Sequence, residues 1–427
     1  MAYQRVGFHP SRILLPAPSV APETWACVAC DQYTSEPAYW EKADRLVDAA
    51  PSALRLILPE CYLAESSVRV PKIHETMRSY LDQGILTAAV ENGFVLCERT
   101  IESGVRLGLV GAVDLEAYSF DRAEKPLVRP TEQTITSRLP PRLAIRRGAP
   151  VELTHIMILV DDPGRTVLEP LAAAKKDFRR LYDFDLMLGG GHLTGYAVEG
   201  PEALAQVDRA LNSLLDQKQQ EDARPMLLAV GDGNHSLATA KALWEEIKPG
   251  LTEKERETHP ARYALCEIVN IHDEALLFEP IHRYLTGVDS LELLADWTHY
   301  AEARGMTLIQ GDIPEDSAEA HCFTLVSRAG EERIAVVHPE GTIPCETVQK
   351  FLDDFLASHP DAEIDYIHGE ASLRTLAERQ ETVGILLPSI DKNRFFRDVI
   401  RLGVLPRKTF SMGEANEKRY YMEARAI

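Results

Sequence analysis

MLLAVGDGNHSLATAKALWEE, residues 226–246, is the stretch on which the fold turns. Met226 to Val230 form an apolar run of strand length, Gly231 to His235 a sharp loop, and Leu237, Ala240, Trp244 and Ile247 recur at helical spacing. A buried strand therefore runs into the N-terminus of a helix through a glycine-opened turn. At such a junction, amide N–H groups without helical partners and the positive end of the helix dipole favour an anion, usually phosphate. Gly231 and Gly233 let the backbone approach a ligand. Asp232 suits a divalent cation or a hydroxyl proton, and Asn234, His235 and Ser236 can meet phosphate oxygens. The same residues also suit a plain helix cap with a structural histidine. No Lys and Ser/Thr pair follows the glycines, so this is not a Walker loop, and neither G-x-G-x-x-G nor G-x-S-x-G occurs here.

Outward from this loop, residues 151–245 alternate strand and helix: Ile156 to Val160, Ala172 to Tyr182, a hairpin near Gly189-Gly190-Gly191, and Pro201 to Gln217. Upstream, the pattern predicts helices over Tyr39–Ala50 and Ile73–Gln83 and a strand at Leu54–Leu58. It also predicts antiparallel strands at Phe94–Arg99 and Val105–Leu115, joined by a turn at Glu102-Ser103-Gly104. That order gives an α/β chain built on an α+β mixed sheet with helical cover. A fresh βα pattern from Asp289 splits it into a main domain, 1–288, and a smaller α/β lobe, 289–427, with a basic tail.

The chain has 427 residues, 45% of them hydrophobic and 26% charged, with a formal net charge of −20. The composition is globular, and the length calls for more than one domain. No apolar run approaches the roughly 20 residues needed to cross a bilayer, and the N-terminus lacks a secretory pattern, which leaves the cytoplasm as the expected compartment. Such acidity opposes nucleic acid or anionic lipid as a partner, so the expected partner is a small phosphorylated molecule. Among the scattered cysteines only Cys27 and Cys30 form C-x-x-C, without the second pair that structural zinc requires.

Positive charge concentrates in RPTEQTITSRLPPRLAIRR, residues 129–147, where Arg129, Arg138, Arg142, Arg146 and Arg147 surround the single carboxylate Glu132. Clustered guanidinium groups capture phosphate or carboxylate bidentately, and Glu132 is then their ion-pair partner or a base. Thr131 lies in the same segment. Asp161 and Asp162 close a strand, where Asp162 could join Asp232 on Mg²⁺, although Asp-Asp-Pro-Gly is also a good turn. His282 and Arg283, and Arg407 and Lys408 after a Gly and Pro turn, are further candidates for an anionic ligand.

GDGNHSLATAK resembles the Asp-Gly-His-His-Arg signature of domain-of-unknown-function family 1015. The stretches ILLPAPSVAPETWACVACDQYTSEPAYW, RPTEQTITSRLPPRLAIR, EIVNIHDEALLFEPIHR and LPRKTFSMGEANEKRYY resemble that family too. The resemblance implies a ParB/sulfiredoxin-like phosphate-binding core and, as in members assigned as pyrophosphate-dependent serine kinases, formation of O-phospho-L-serine as a cysteine precursor. It implies that Asp232, Gly233, Asn234 and His235 hold the phosphoryl group and that Glu132 and Thr134 belong to the site. Asn234 stands here in place of a His and Ser236 in place of the final Arg, so one expected positive charge is missing. The sequence reading is thus an Mg²⁺-assisted small-molecule kinase with Asp232, His235 and Glu132 as its catalytic groups. A non-catalytic nucleotide-binding regulator and a phosphoester hydrolase are the alternatives.

Overall fold

The structure, a computed structural model, describes residues 2–153, 155–311 and 320–427. The chain divides into two compact units, Met1–Leu277 with Gly413–Ile427, and Phe278–Met412. The division thus falls ahead of the expected boundary at 288, and residues 413–427 return to the first unit.

The first unit is organised by a large mixed sheet. Its path runs Val128–Pro130, Leu228–Asp232, Met157–Val160, Tyr263–Asn270, Gly104–Asp114, Leu86–Ile101, Ser11–Pro16, Ala424–Ala426 and Val151–Leu153. Leu228–Asp232 is parallel to Val128–Pro130 and antiparallel to Met157–Val160, so the sheet is mixed where the loop begins. Side chains alternate between two cores, as the period of two in a strand requires. Val95, Cys97, Val110 and Leu265 join one with Trp25 and Trp40, while Phe94, Leu96, Leu109 and Cys266 join the other with Trp244. The helices Pro201–Glu221 and Asn234–Ile247 cover this second face through Val207, Leu211, Leu237 and Ala240.

The antiparallel pair Leu86–Ile101 and Gly104–Asp114 closes tightly, with Ile101 opposite Gly104. Two expectations failed. Leu54–Leu58 is a buried turn, not a strand: the Ser52 hydroxyl accepts from Leu54 N–H and donates to the Trp25 carbonyl, bending the chain where an apolar run suggested extension. The expected helix Ala172–Tyr182 ends at Ala173, and Arg179–Asp185 is a strand paired with His192–Glu199. There the alternation of buried Tyr182 and Phe184 prevails, and the turn between the strands holds Leu188, Gly189 and Gly191 at positive φ.

In the second unit the sheet runs Thr307–Gln310, Gly330–Val337, His321–Ser327, Thr382–Leu386, Phe278–Thr286 and Glu363–His368. Helices Ser290–Ala303 and Pro344–Ser358 supply an aromatic core in which Trp297 stacks on Phe351 at 4.7 Å. Among the described residues no helix is long and apolar enough to cross a membrane.

Candidate functional site

The loop is built as its sequence suggests. Leu228–Asp232 is the strand, and Asn234–Ile247 the helix. Gly233 between them has φ 77°, and a Cβ there would lie 3.1 Å from Ile156 Cα and Cγ1, so both conformation and space demand glycine. No side chain caps this helix start. Asp232 turns back, its Oδ1 accepting the Gly233 N–H at 2.9 Å and its Oδ2 lying 3.4 Å from Lys418 Nζ.

Asn234 and His235 anchor the neighbouring segment. Thr131 N–H donates to Asn234 Oδ1 at 3.2 Å, the Asn234 amide donates to the Val230 carbonyl at 3.4 Å, and Ile135 N–H donates to His235 Nε2 at 3.3 Å. Residues 131–135, including Glu132, are thereby laid along the loop. Within this segment the buried Thr134 hydroxyl has no partner among the described residues. Asn234 is buried in this role, so replacing a His there exchanges a ligand candidate for a brace.

Groups remote in sequence complete the cluster. Ser236 Oγ is 3.1 Å from His155 Nε2, and His155 Nδ1 is 2.7 Å from the Tyr421 hydroxyl. Tyr421 also accepts the Cys30 N–H at 3.2 Å, and Asp31 Oδ2 stands 3.9 Å from His155 Nε2. Burial opposes the charge on Asp31. His155, a hydrogen bond from the Gln32 side chain and Lys418 outweigh it, and together they hold the carboxyl below its usual range. Burial first, and then Asp31, push the Cys30 thiol up to about 12, so it is a space-filling hydrogen-bonding group rather than a nucleophile. Arg142 reaches the same neighbourhood, pairing with Glu60, whose N–H donates to the Cys30 carbonyl.

The remaining candidates are placed otherwise. Arg129 is a backbone brace, its Nε donating to Pro126 O and its Nη2 to Arg224 O. Arg146 pairs with the buried Glu152, which Arg425 shares, and Arg147 pairs with Glu246 on the surface. Arg138 is exposed at the start of helix Leu139–Arg146, which packs Leu139 and Leu143 against the loop's helix. Asp162 is engaged within its own turn. Its carboxylate is consumed by Thr166 and Val167 N–H groups and the Thr166 hydroxyl, while Asp161 pairs with Lys218 and His272. His282 and Arg283 lie in the second unit's core; His282 Nδ1 accepts Leu387 N–H, and Arg283 donates to the Ile281 and Lys408 carbonyls and to Gln349. Arg407 and Lys408 are exposed in that unit.

The side chain that meets Ser236 is His155, and Lys418 lies at Asp232. Asp31, His155 and Tyr421 were not singled out from sequence. The signal available was that Asp31 and Tyr421 fall inside stretches resembling the family.

Fold and site define a mixed α/β protein with a polar cluster gathered at a glycine-opened strand-to-helix turn. The chain matches the family described as protein of unknown function (DUF1015) over residues 9–355 and belongs to it; the match stops short of the LPRKTFSM stretch. No curated protein sequence is significantly similar. Among solved structures, a free serine kinase in complex with AMP has 14% identity and a TM-score of 0.38, covering 73% of this chain and 90% of its own. A conserved hypothetical protein from Pyrococcus furiosus has 14% identity and a TM-score of 0.37 over 74% and 94%. SbnI with a C-terminal truncation, from Staphylococcus aureus, has 10% identity and a TM-score of 0.35 over 73% and 85%.

Proposed function

We propose that the chain transfers a phosphoryl group to the hydroxyl of a small metabolite, free L-serine being the first acceptor to test, with pyrophosphate or a nucleotide as donor. One observation carries the reading: four distant segments bring Asp31, His155, Asp232 with Ser236, and Lys418 together at a helix start that no side chain caps. The donor's terminal phosphate takes the backbone amides of that helix start, and Lys418 offsets its charge.

The acceptor oxygen attacks phosphorus, its bond to the donor's bridging oxygen breaks, and the donor leaves as phosphate or as the shortened nucleotide. Asp31, held ionised, takes the hydroxyl proton. His155 keeps its place through Ser236 and Tyr421, so that the carboxylate and the phosphate seat stay in register. Asp232 positions Lys418, and His235 positions the 131–135 segment with Glu132.

Among the described residues no three His, Cys, Asp or Glu side chains are grouped to hold a metal. Mg²⁺ would thus arrive on phosphate oxygens with Asp232 as its protein ligand, supplying charge neutralisation. Incubating the protein with serine, Mg²⁺ and each of pyrophosphate, ADP and ATP, and reading phosphoserine by ³¹P NMR, tests the proposal. No new phosphoester with any donor, from protein that binds those donors, overturns it.

A further inference from the structure

Arg99 and Arg106 sit directly opposite each other on neighbouring antiparallel strands of the first unit, each only 3% exposed. Like charges in that register repel, and burying a guanidinium without a carboxylate costs several kcal/mol. Two other buried arginines of this unit answer the cost with carboxylates, Arg419 with Glu267 and Glu423 and Arg425 with Glu152, while Arg129 stands apart from any like-charged facing residue and is met by carbonyls. Arg99 and Arg106 have no ion pair among the described residues.

Their partners are backbone carbonyls of one short strap. Arg99 Nη2 donates to Asn416 O at 2.9 Å, Arg106 Nη1 donates to Glu417 O at 3.3 Å, and the Tyr420 ring lies 4.7 Å from the Arg99 guanidinium carbon. Both Nε–H groups are buried without an acceptor among the described residues. An unmet buried donor on one arginine is a packing flaw. Two, on facing arginines, describe an acceptor that is not part of the chain. Burial, and then Arg106, push the Arg99 guanidinium down to about 9, against the opposing pull of Tyr420 and Glu267.

The strap is suited to yield. Residues 414–417 form one 3-10 turn closed by the Glu414 and Glu417 side chains, and Gly413 ahead of it has φ 66°. A bidentate oxyanion makes shorter, charge-assisted bonds than two carbonyls do, and it brings a direct negative charge that neither carbonyl carries.

We propose that Arg99 and Arg106 are a binding site for a small oxyanion, carboxylate or phosphate, which takes the places now held by the Asn416 and Glu417 carbonyls. The next residue in the chain, Lys418, contacts Asp232. If the kinase reading holds, the carboxylate arm makes this the seat of the acceptor's carboxylate, and the phosphate arm makes it a second phosphate seat.

The test is the melting temperature of the full chain, at constant ionic strength, against inorganic phosphate and separately against acetate and L-serine, with chloride as control. The wild type rises with at least one oxyanion, and Arg99→Gln and Arg106→Gln each weaken the apparent affinity at least tenfold, while the surface variant Arg147→Gln keeps the response. A phosphate-only response assigns phosphate, and an acetate and serine response assigns carboxylate. If neither variant folds, the ¹⁵N–¹H resonances of the Arg99 and Arg106 Nε groups in wild-type protein are followed during the same titrations, and they shift. No oxyanion response in the wild type, or an undiminished one in both variants, overturns the proposal. Neither result bears on whether phosphoserine forms.

Discussion

Residues 418–423 feed two buried charged clusters of the first unit, and the two are built for opposite ends. Lys418 and Tyr421 join Asp232, His155 and Asp31, where the carboxylates keep 22% and 28% of their side-chain surface exposed. Arg419 and Glu423 join Glu267, Tyr182 and Cys97, where the side chains of the three charged groups are at most 3% exposed. The first cluster leaves its charges within reach of solvent and of a ligand. The second seals its charges in ion pairs inside: burial first, and then Cys97 and Glu423, push the Tyr182 phenol up, so it stays a donor to the Glu423 carboxylate. Gly108 makes room for it, since a Cβ there would overlap the Glu267 carboxylate. Equal proximity to the sheet thus yields a reactive arrangement or an inert one, depending on whether the charges are sealed in ion pairs or left within reach of a ligand.

The comparison breaks most easily at its strongest contrast. Asp31→Asn should lower phosphoserine formation at least a hundredfold while the melting temperature stays within a few degrees. Arg419→Leu should cost about 3–5 kcal/mol in urea unfolding, because Glu267 and Glu423 are left buried and unpaired. Full activity in the first, or unaltered stability in the second, removes the distinction drawn between the clusters. Glu132→Gln sharpens it: full turnover there leaves Asp31 as the proton acceptor, whereas a loss matching that of Asp31→Asn divides the role.

Acid separates the regions next. Against burial, His155, Gln32 and Lys418 hold the Asp31 carboxyl below its usual range, so if it takes the proton, turnover is flat from pH 8 down to 5; a loss of turnover within that window removes Asp31 as the proton acceptor. In the second unit, burial pushes His282 and His321 down to about 4. The unfolded chain binds their protons first, so their contribution to stability is complete above about pH 6.5 and is lost as pH falls towards 4. At pH 5 the loss is about 1–2 kcal/mol for each, and His282 is the better buried of the two. Urea titrations at pH 7.5 and 5 of wild type and His282→Gln check it: the variant should be weaker at 7.5 but less sensitive to acid.

Much of this was legible in the sequence, and what was not had physical reasons. The strand, the glycine turn and the helix at 226–247 are local, and local periodicity declared them. The basic run 129–147 was legible as a cluster but not as a destination: of its arginines, one braces carbonyls, two pair with Glu152 and Glu246, and only Arg142 comes near the site. Guanidinium direction is decided by carboxylates and carbonyls that folding brings from elsewhere. Asp31, His155 and Tyr421 are separated by more than a hundred residues from one another, and no spacing rule could join them. Leu54–Leu58 and Ala172–Tyr182 failed because short apolar runs do not distinguish strand, turn and helix until pairing partners are known.

The smallest effect probes the brace rather than either cluster. Asn234→Ala removes the acceptor of Thr131 N–H and the amide that donates to Val230. The Thr131 hydroxyl still holds the Val230 carbonyl at 2.6 Å, so only one buried N–H loses its partner. The cost is then about 1–2 kcal/mol, and because residues 131–135 remain pinned through Ile135 to His235, turnover should fall several-fold rather than vanish. Urea unfolding beside the phosphoserine assay measures both. If Asn234→Ala is as inactive as Asp31→Asn, Asn234 faces the ligand after all, and the division between brace and reactive cluster has been drawn one residue too early.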